Sequence, residues 1–131
     1  VYELSDKHLE QLMGLLQQTW WAETRSKSQA KTILATCYPI GLVRQNTGTL
    51  VGFSRVLSDG VKYGLICDVV VDQSLRGLGL GKKIMHAILS HPELQKLPVL
   101  DLHCMPDMKD FYENFGFSQD FSGQISMRLN R

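Results

Sequence analysis

The 131-residue chain reads as an α+β fold. Three observations predict it. Two helical stretches lead the chain. Three apolar runs follow, separated only by short turns, as in an antiparallel meander. The last of these, Leu65-Ile66-Cys67-Asp68-Val69-Val70-Val71, meets a glycine-rich turn, Arg76-Gly77-Leu78-Gly79-Leu80-Gly81-Lys82, which opens a further helix. The full expected order is β-α-α-β-β-β-α-β-α-β.

Each element has a local reason. Val1–Leu4 is expected as a short edge strand. Ser5 is an N-cap candidate for a helix over Asp6–Thr19, whose Leu9, Leu12, Met13, Leu16 and Trp20 repeat at helical spacing. A second helix is expected over Ser28–Thr36, ending before Cys37-Tyr38-Pro39. Ile40–Gln45 and Leu50–Leu57 read as strands joined by the turn Asn46-Thr47-Gly48. Asp59-Gly60 turns the chain into a third strand, Lys62–Val71. The helix after the glycine turn is expected to run to about Ser90, before Pro92. Val99–Cys104 is a strand and Met108–Asn114 a helix, with Gly116 as its C′ residue. Ile125–Leu129 is expected as a final strand.

Composition narrows the function classes. One domain over residues 1–131 is expected at this length, and 44% hydrophobic residues can build a core. The net charge of +1 gives no sign of a nucleic-acid partner. No apolar run approaches the roughly 20 residues of a membrane span, and no signal-peptide pattern is read. Cys37, Cys67 and Cys104 form no C-x-x-C pair. They are expected to be reduced thiols of a cytoplasmic protein rather than a disulfide or zinc framework, and no metal site is expected.

The glycine turn carries the chemistry. Glycines let backbone N–H groups approach a ligand closely. A helix N-terminus adds unpaired donors and the positive end of a dipole, which together favour a phosphate or pyrophosphate. A P-loop would need G-x-x-x-x-G-K-S/T. Here Gly77 and Gly81 are one residue too close, and Lys83 stands in place of Ser or Thr. A dinucleotide fingerprint needs G-x-G-x-x-G, whereas this turn reads G-x-G-x-G.

A second motif, Phe111-Tyr112-Glu113-Asn114-Phe115-Gly116-Phe117, stands about 30 residues further on. The first motif resembles the acetyl-CoA pyrophosphate loop of the GNAT superfamily of N-acetyltransferases, whose pattern there is Gln/Arg-x-x-Gly-x-Gly/Ala. The second resembles that family's segment after its fifth strand. The resemblance covers Leu50 to Phe117 and, more loosely, the whole chain. It implies a mixed, mostly antiparallel sheet of six to seven strands, splayed at the acetyl-CoA site and flanked by about four helices. It also implies an acetyl-CoA-dependent N-acetyltransferase, in which an amine attacks the thioester directly in a ternary complex. Members often pair as homodimers through their last strands, although Ile125–Leu129 carries no feature that forces this.

Site residues follow from the same resemblance. Val69 and Val71 match the strand that pairs with the pantetheine arm. Arg76, Gly77, Leu78, Gly79, Gly81 and Lys82 match the pyrophosphate loop. Tyr112 matches the tyrosine that often protonates the CoA sulfur, a role suited to a phenol with a pKa near 10. Phe111 packs on the CoA side or in the core. Many relatives place a basic Glu nine residues before the loop arginine; here that position is Cys67, a poor base. Asp68 interrupts an apolar run. By strand alternation it should point away from Cys67, Val69 and Val71, in a structural, paired role. His103 is then the leading base, since imidazole is the side chain suited to taking up a proton near neutral pH; the alternative is a surface strand histidine. Met105 replaces an Asn that contacts CoA in many relatives.

The N-terminal third normally shapes the acceptor pocket. Adjacent Trp20 and Trp21 cannot share one helix face, so one is a candidate pocket wall. Arg25 is a candidate carboxylate clamp, Glu23 a candidate amine attractor, and Arg55 a further substrate contact. The competing reading is aromatics at the core rim beside solvated charges. The expected acceptor is a small primary amine. A CoA-binding module without catalysis and a peptide N-acetyltransferase are the alternatives.

Overall fold

A computed structural model describes residues 1–131. Four helices and a four-stranded sheet follow one another as α1 (Asp6–Leu16), α2 (Lys27–Ala35), β1 (Tyr38–Val43), β2 (Leu50–Ser58), β3 (Tyr63–Val71), α3 (Leu80–Leu89), β4 (Val99–Leu102) and α4 (Lys109–Glu113). Sheet order is β1-β2-β3-β4. The first three strands are antiparallel and β4 joins β3 in parallel after the α3 crossover. The mixed α+β architecture is the expected one.

Helices α1 and α2 begin at paired caps. Ser5 Oγ accepts the His8 N–H while His8 Nδ1 accepts the Ser5 N–H, so a histidine takes the place of the usual Glu or Gln. Ser26 and Gln29 make the same exchange at α2. Helix α1 stops at Leu16, earlier than its apolar spacing suggests. The Thr19 hydroxyl bonds the Leu16 carbonyl and accepts the Ala22 N–H, closing the end into a turn. Trp20 therefore leaves the helix and is 73% exposed, not part of the apolar face.

The sheet separates two apolar clusters. On one face Leu9, Leu12, Leu16 and Ala30 of α1 and α2 pack on Leu50, Phe53 and Val70. On the other, Ile84, Met85 and Ile88 of α3, with Tyr112 of α4, pack on Ile40, Val56 and Ile66. Phe53 and Val56 take opposite faces by alternation along β2, whereas Ile66 and Val70 of β3 do so because the pairing register shifts between them.

Two expected edge strands do not form. Val1 meets β1 only through a reciprocal backbone pair with Gly41, at 2.6 and 2.7 Å. Ile125–Leu129 joins no ladder, and Ile125, Met127 and Leu129 are 80%, 86% and 77% exposed. Period-two alternation names a face but no partner, and β4, the only edge beside it in chain order, offers four residues. Four strands thus pair where the resemblance implies six to seven. Strand β4 also ends at Leu102, so His103 and Cys104 lie beyond it. At α4 the expected C′ glycine holds. Gly116 has φ 93, its N–H bonds Glu113 O, and the Phe117 N–H reaches Tyr112 O, a Schellman end.

Candidate active site

Strand β3 breaks its regularity at Asp68. Phe53 pairs with Val70 and Arg55 with Cys67, so Ser54 alone faces both Asp68 and Val69. Asp68 takes φ 55, a conformation Asp tolerates better than most residues. This is a β-bulge, and bulges re-aim side chains. Simple alternation would have turned Asp68 away from Cys67. The bulge instead sends its carboxylate to the face of Arg55, which is also the face of Cys67.

The bulge coincides with a fork in the sheet. The β3–β4 ladder runs from Tyr63↔Val99 to Ile66↔Leu102 and ends there. Cys67 and His103 are the next residues on the two strands. Further along β3, the Asp72 N–H bonds Val51 O at 2.9 Å. Alternation from that contact turns the N–H and C=O groups of Val69 and Val71 away from β2, into the opened side. An extended chain entering the fork would find them free.

The glycine turn closes one end of this fork. A 3₁₀ turn, Gln73–Leu75, is capped by the Asp72 carboxylate on the Ser74 N–H. Arg76 is extended, and Gly77 and Gly79 follow with φ 82 and 79. That left-handed backbone is why glycine stands there. A Cβ at either position would meet nothing within 4 Å, so the space above the turn is open. Unlike α1 and α2, helix α3 starts with no side-chain cap, and like α2 it has no acidic residue in its first turn. Arg76 and Lys82 are exposed and join no ion pair, and Leu78 is exposed at the tip. The steric case at Gly81 is weaker, since a Cβ there would make ordinary contact with the Phe111 ring. This donor set fits a pyrophosphate.

Tyr112 faces the same region from α4. Its ring is buried and packs edge-on against Phe111 and Phe117. Burial, and secondarily the nearby Cys104 thiol, push its phenol above the ordinary value. No buried side-chain polar atom is left unpartnered, so the hydroxyl, which bonds nothing in the chain, opens to solvent.

Across the sheet, three acceptor-pocket candidates converge on Asp68. Trp21 Nε1 donates to Oδ1 at 3.0 Å. Arg25 donates to Oδ2 at 2.8 Å and to Oδ1 at 3.5 Å, and Arg55 Nε to Oδ2 at 2.6 Å. The carboxylate is 4% exposed. Burial alone would raise its pKa, but the hydrogen bonds and charges of Arg25 and Arg55 outweigh burial and hold it below the usual carboxylate range. Burial likewise opposes the Arg55 charge, and the Asp68 bond more than offsets it. Burial pushes the Cys67 thiol up against the pull of Arg55. The same cause takes Cys37 from 9.0 to about 11. Arg25 and Trp21 also line a cavity of about 440 Å³ with Gln29, Thr32 and Ile33 of α2. Trp20 stays outside, edge-on to Trp21 at 5.7 Å. His103 and Glu23 are exposed.

A fork in the sheet, an uncapped glycine-led helix and a solvent-reaching tyrosine, whose neighbour Phe111 stands beside Gly81, lie at one end of the molecule. The sequence model of the Acetyltransferase (GNAT) family matches residues 6–117. The chain belongs to that family.

Relatives agree with this GNAT assignment. The N-acetyltransferase ycf52 of Porphyra purpurea, itself uncharacterized, is 30% identical over 92% of this chain and 70% of its own. GCN5-related N-acetyltransferase 1, chloroplastic, of Arabidopsis thaliana is 28% identical over 99% of this chain and 76% of its own. Among solved structures, a putative GNAT-family acetyltransferase from Xanthomonas campestris superposes with TM-score 0.76 and 27% identity, covering 92% of this chain and 84% of that one. An acetyltransferase of Trypanosoma brucei gives 0.76 and 27%, covering 98% and 96%. The GNAT chain is accordingly an acyltransferase.

Sequence reasoning missed two features of this GNAT site, of which the first is the hub made by Asp68. A signal was present: an Asp inside Ile-Cys-Asp-Val-Val needs partners. Nothing local named Trp21, Arg25 and Arg55 as those partners. Cys37 was missed as well, because its neighbourhood with Arg55 arises only when β1 lies beside β2.

Proposed function

We propose that this GNAT domain transfers the acetyl group of acetyl-CoA to the primary amine of a small molecule, by direct attack in a ternary complex. The observation that carries the reading is the uncapped N-terminus of α3 with open space over Gly77 and Gly79, at the end of the β3–β4 fork. Acetyl-CoA, when bound, supplies the activated acetyl thioester. Every other role belongs to the chain. The α3 amides, Arg76 and Lys82 would hold the pyrophosphate. The Val69 and Val71 backbone would hold the pantetheine arm as an added strand. Phe111 stands beside Gly81.

Proton handling falls to two residues. His103, beside Cys67 at the mouth of the fork, takes the proton of the incoming amine, directly or through a water. The half-buried Cys67 thiol, its pKa pushed up by burial, stays protonated and does not compete as a base. Tyr112 keeps its proton at Oη throughout the neutral range. Because its pKa lies above that of an ordinary thiol near 8.5, it acts by donating a hydrogen bond to the sulfur as charge develops there. The Asp68 carboxylate, with both oxygens engaged, positions Arg25, Arg55 and Trp21 and takes no proton.

Tyr112→Phe tests this assignment. The expected result is a fall in kcat of about a hundredfold or more with acetyl-CoA affinity retained. Unchanged kcat would remove Tyr112 from the mechanism. One observation favours a second reading, a CoA-binding module with little catalysis. Cys67 and Met105 stand where many relatives carry Glu and Asn. Turnover that depends on Tyr112 counts against it. A peptide acceptor is separated from a small amine by competition between a short peptide and free amines.

A further inference from the structure

We propose that the acceptor is an amine that also carries an anionic group, a carboxylate or a phosphate, and that Arg55 is the residue that selects it. This rests on the acetyl-transfer reading above and names the substrate class of that site.

The argument starts from Asp68. Each of its two oxygens already takes two N–H contacts, from Trp21, Arg25 and Arg55. It has no capacity left for a substrate ammonium. Arg55, by contrast, spends only Nε on Asp68. Its two terminal nitrogens have no partner in the chain, and no buried polar side-chain atom is left unpartnered, so this end faces the opening. A guanidinium fork presents two parallel N–H groups that match the paired oxygens of a carboxylate or phosphate.

Charge around the fork points the same way. The network of Arg25, Arg55 and Asp68 sums to +1 − 1 + 1 = +1. The thiols of Cys37 and Cys67, which flank Arg55, add no charge at neutral pH. The other carboxylates of this side do not offset it. Asp101 lies on β4 beside Leu65, beyond the width of β3, and takes the Tyr63 hydroxyl at 2.9 Å. Glu23 is exposed on the loop between α1 and α2 and pairs with no cation. With its side chain only 14% exposed, Arg55 repels a purely cationic amine and attracts an acid group more strongly than it would in open water.

Geometry sets the spacing. Arg55 and Cys67 are direct partners on neighbouring strands, and His103 follows across the fork. Neighbouring strands lie about 5 Å apart. The backbones of Arg55 and His103 are then two spacings, about 10 Å, apart, a gap that the long Arg55 side chain narrows toward the scale of a small amino acid or a phosphorylated amino alcohol.

The test compares matched pairs that differ in the acid group, using the wild-type protein and acetyl-CoA. L-phenylalanine is set against 2-phenylethylamine, and O-phosphoethanolamine against ethanolamine, with release of free CoA thiol as the readout. In parallel, calorimetry measures binding of all four probes to protein saturated with unreactive desulfo-CoA. The expected result is a preference of about tenfold or more for the anionic member of at least one pair. The pair with the larger ratio names the anion. Arg55→Lys should raise KM for the acid-bearing member more than for its acid-free partner and erase the preference; if that variant does not fold, the wild-type ratios decide. Equal or tighter binding and faster turnover of the members without an acid group overturn the anion proposal and leave acetyl transfer standing. Failure of the protein to bind acetyl-CoA at all overturns the transfer reading, and this proposal with it.

Discussion

Asp68 shows how one residue can organise a site without reacting in it. Two arginines and an indole N–H depend on a carboxylate that is nearly sealed from water. Removing its charge leaves two half-buried guanidinium groups uncompensated, so Asp68→Asn is expected to cost about 3 kcal/mol in chemical denaturation. A change below about 0.5 kcal/mol would mean the arginines are solvated without it. The sign of its pH effect is fixed. A carboxyl with a depressed folded pKa stabilises the fold above its ordinary value and loses that contribution as pH falls through the folded value. The half-buried thiols act at the other end. Cys37 stays protonated in the fold to about pH 11 but ionises near 9.0 when exposed. Its contribution is therefore complete below pH 9 and fades toward 11. Cys37→Ala should flatten the loss of thermal stability across that window, and an unchanged slope would contradict the assignment. That Asp68 needs partners is legible in its apolar surroundings. Their identity is not, because Arg25 and Trp21 stand 43 and 47 positions away and meet it only after folding.

At the level of elements, the informative contrast lies between helix starts. Helices α1 and α2 close their own first turns with serine caps, whereas α3 begins at left-handed Gly79 and leaves its amides free. Since a Cβ at Gly79 would touch nothing in the chain, Gly79→Ala should cost the fold only backbone strain, about 1–2 kcal/mol. Acetyl-CoA affinity should fall by more than that strain accounts for; calorimetry alongside a thermal melt separates the two, and unchanged affinity would remove the loop assignment. The strand, turn and helix of this unit were legible because glycine spacing and apolar runs are local signals. The end of α1 was not. Leu9, Leu12, Met13, Leu16 and Trp20 keep helical spacing, but the Thr19 hydroxyl captures the Leu16 carbonyl and turns the chain first. The bulge at Asp68 was equally hidden, since it is defined by pairing with Ser54 across the sheet. Ile125–Leu129 has the alternation of a strand, yet alternation supplies no partner.

At the scale of the whole molecule, two apolar layers clamp one sheet, and the sheet opens where they leave it. Phe53 and Val70 anchor one layer, and Val56 and Ile66 the other. Beyond Ile66 the β3–β4 ladder stops, and the cleft runs from the free α3 amides past Val69 to the face that carries Arg55. On the proposed reading a cofactor would enter from the α3 side and an acceptor from the α2 side, so that the reacting atoms would meet inside the fork. Fold class and family were readable from two short motifs in order. The acceptor side depends on pairings over long sequence separations, and its chemistry emerged only from the assembled sheet. The most direct measurement is a calorimetric titration of the protein with acetyl-CoA, with dephospho-CoA for comparison. Binding in about the micromolar range, weakened at least tenfold by Arg76→Ala, is the expected result. No heat of binding at millimolar acetyl-CoA would contradict the cleft's assignment as the acetyl-CoA site.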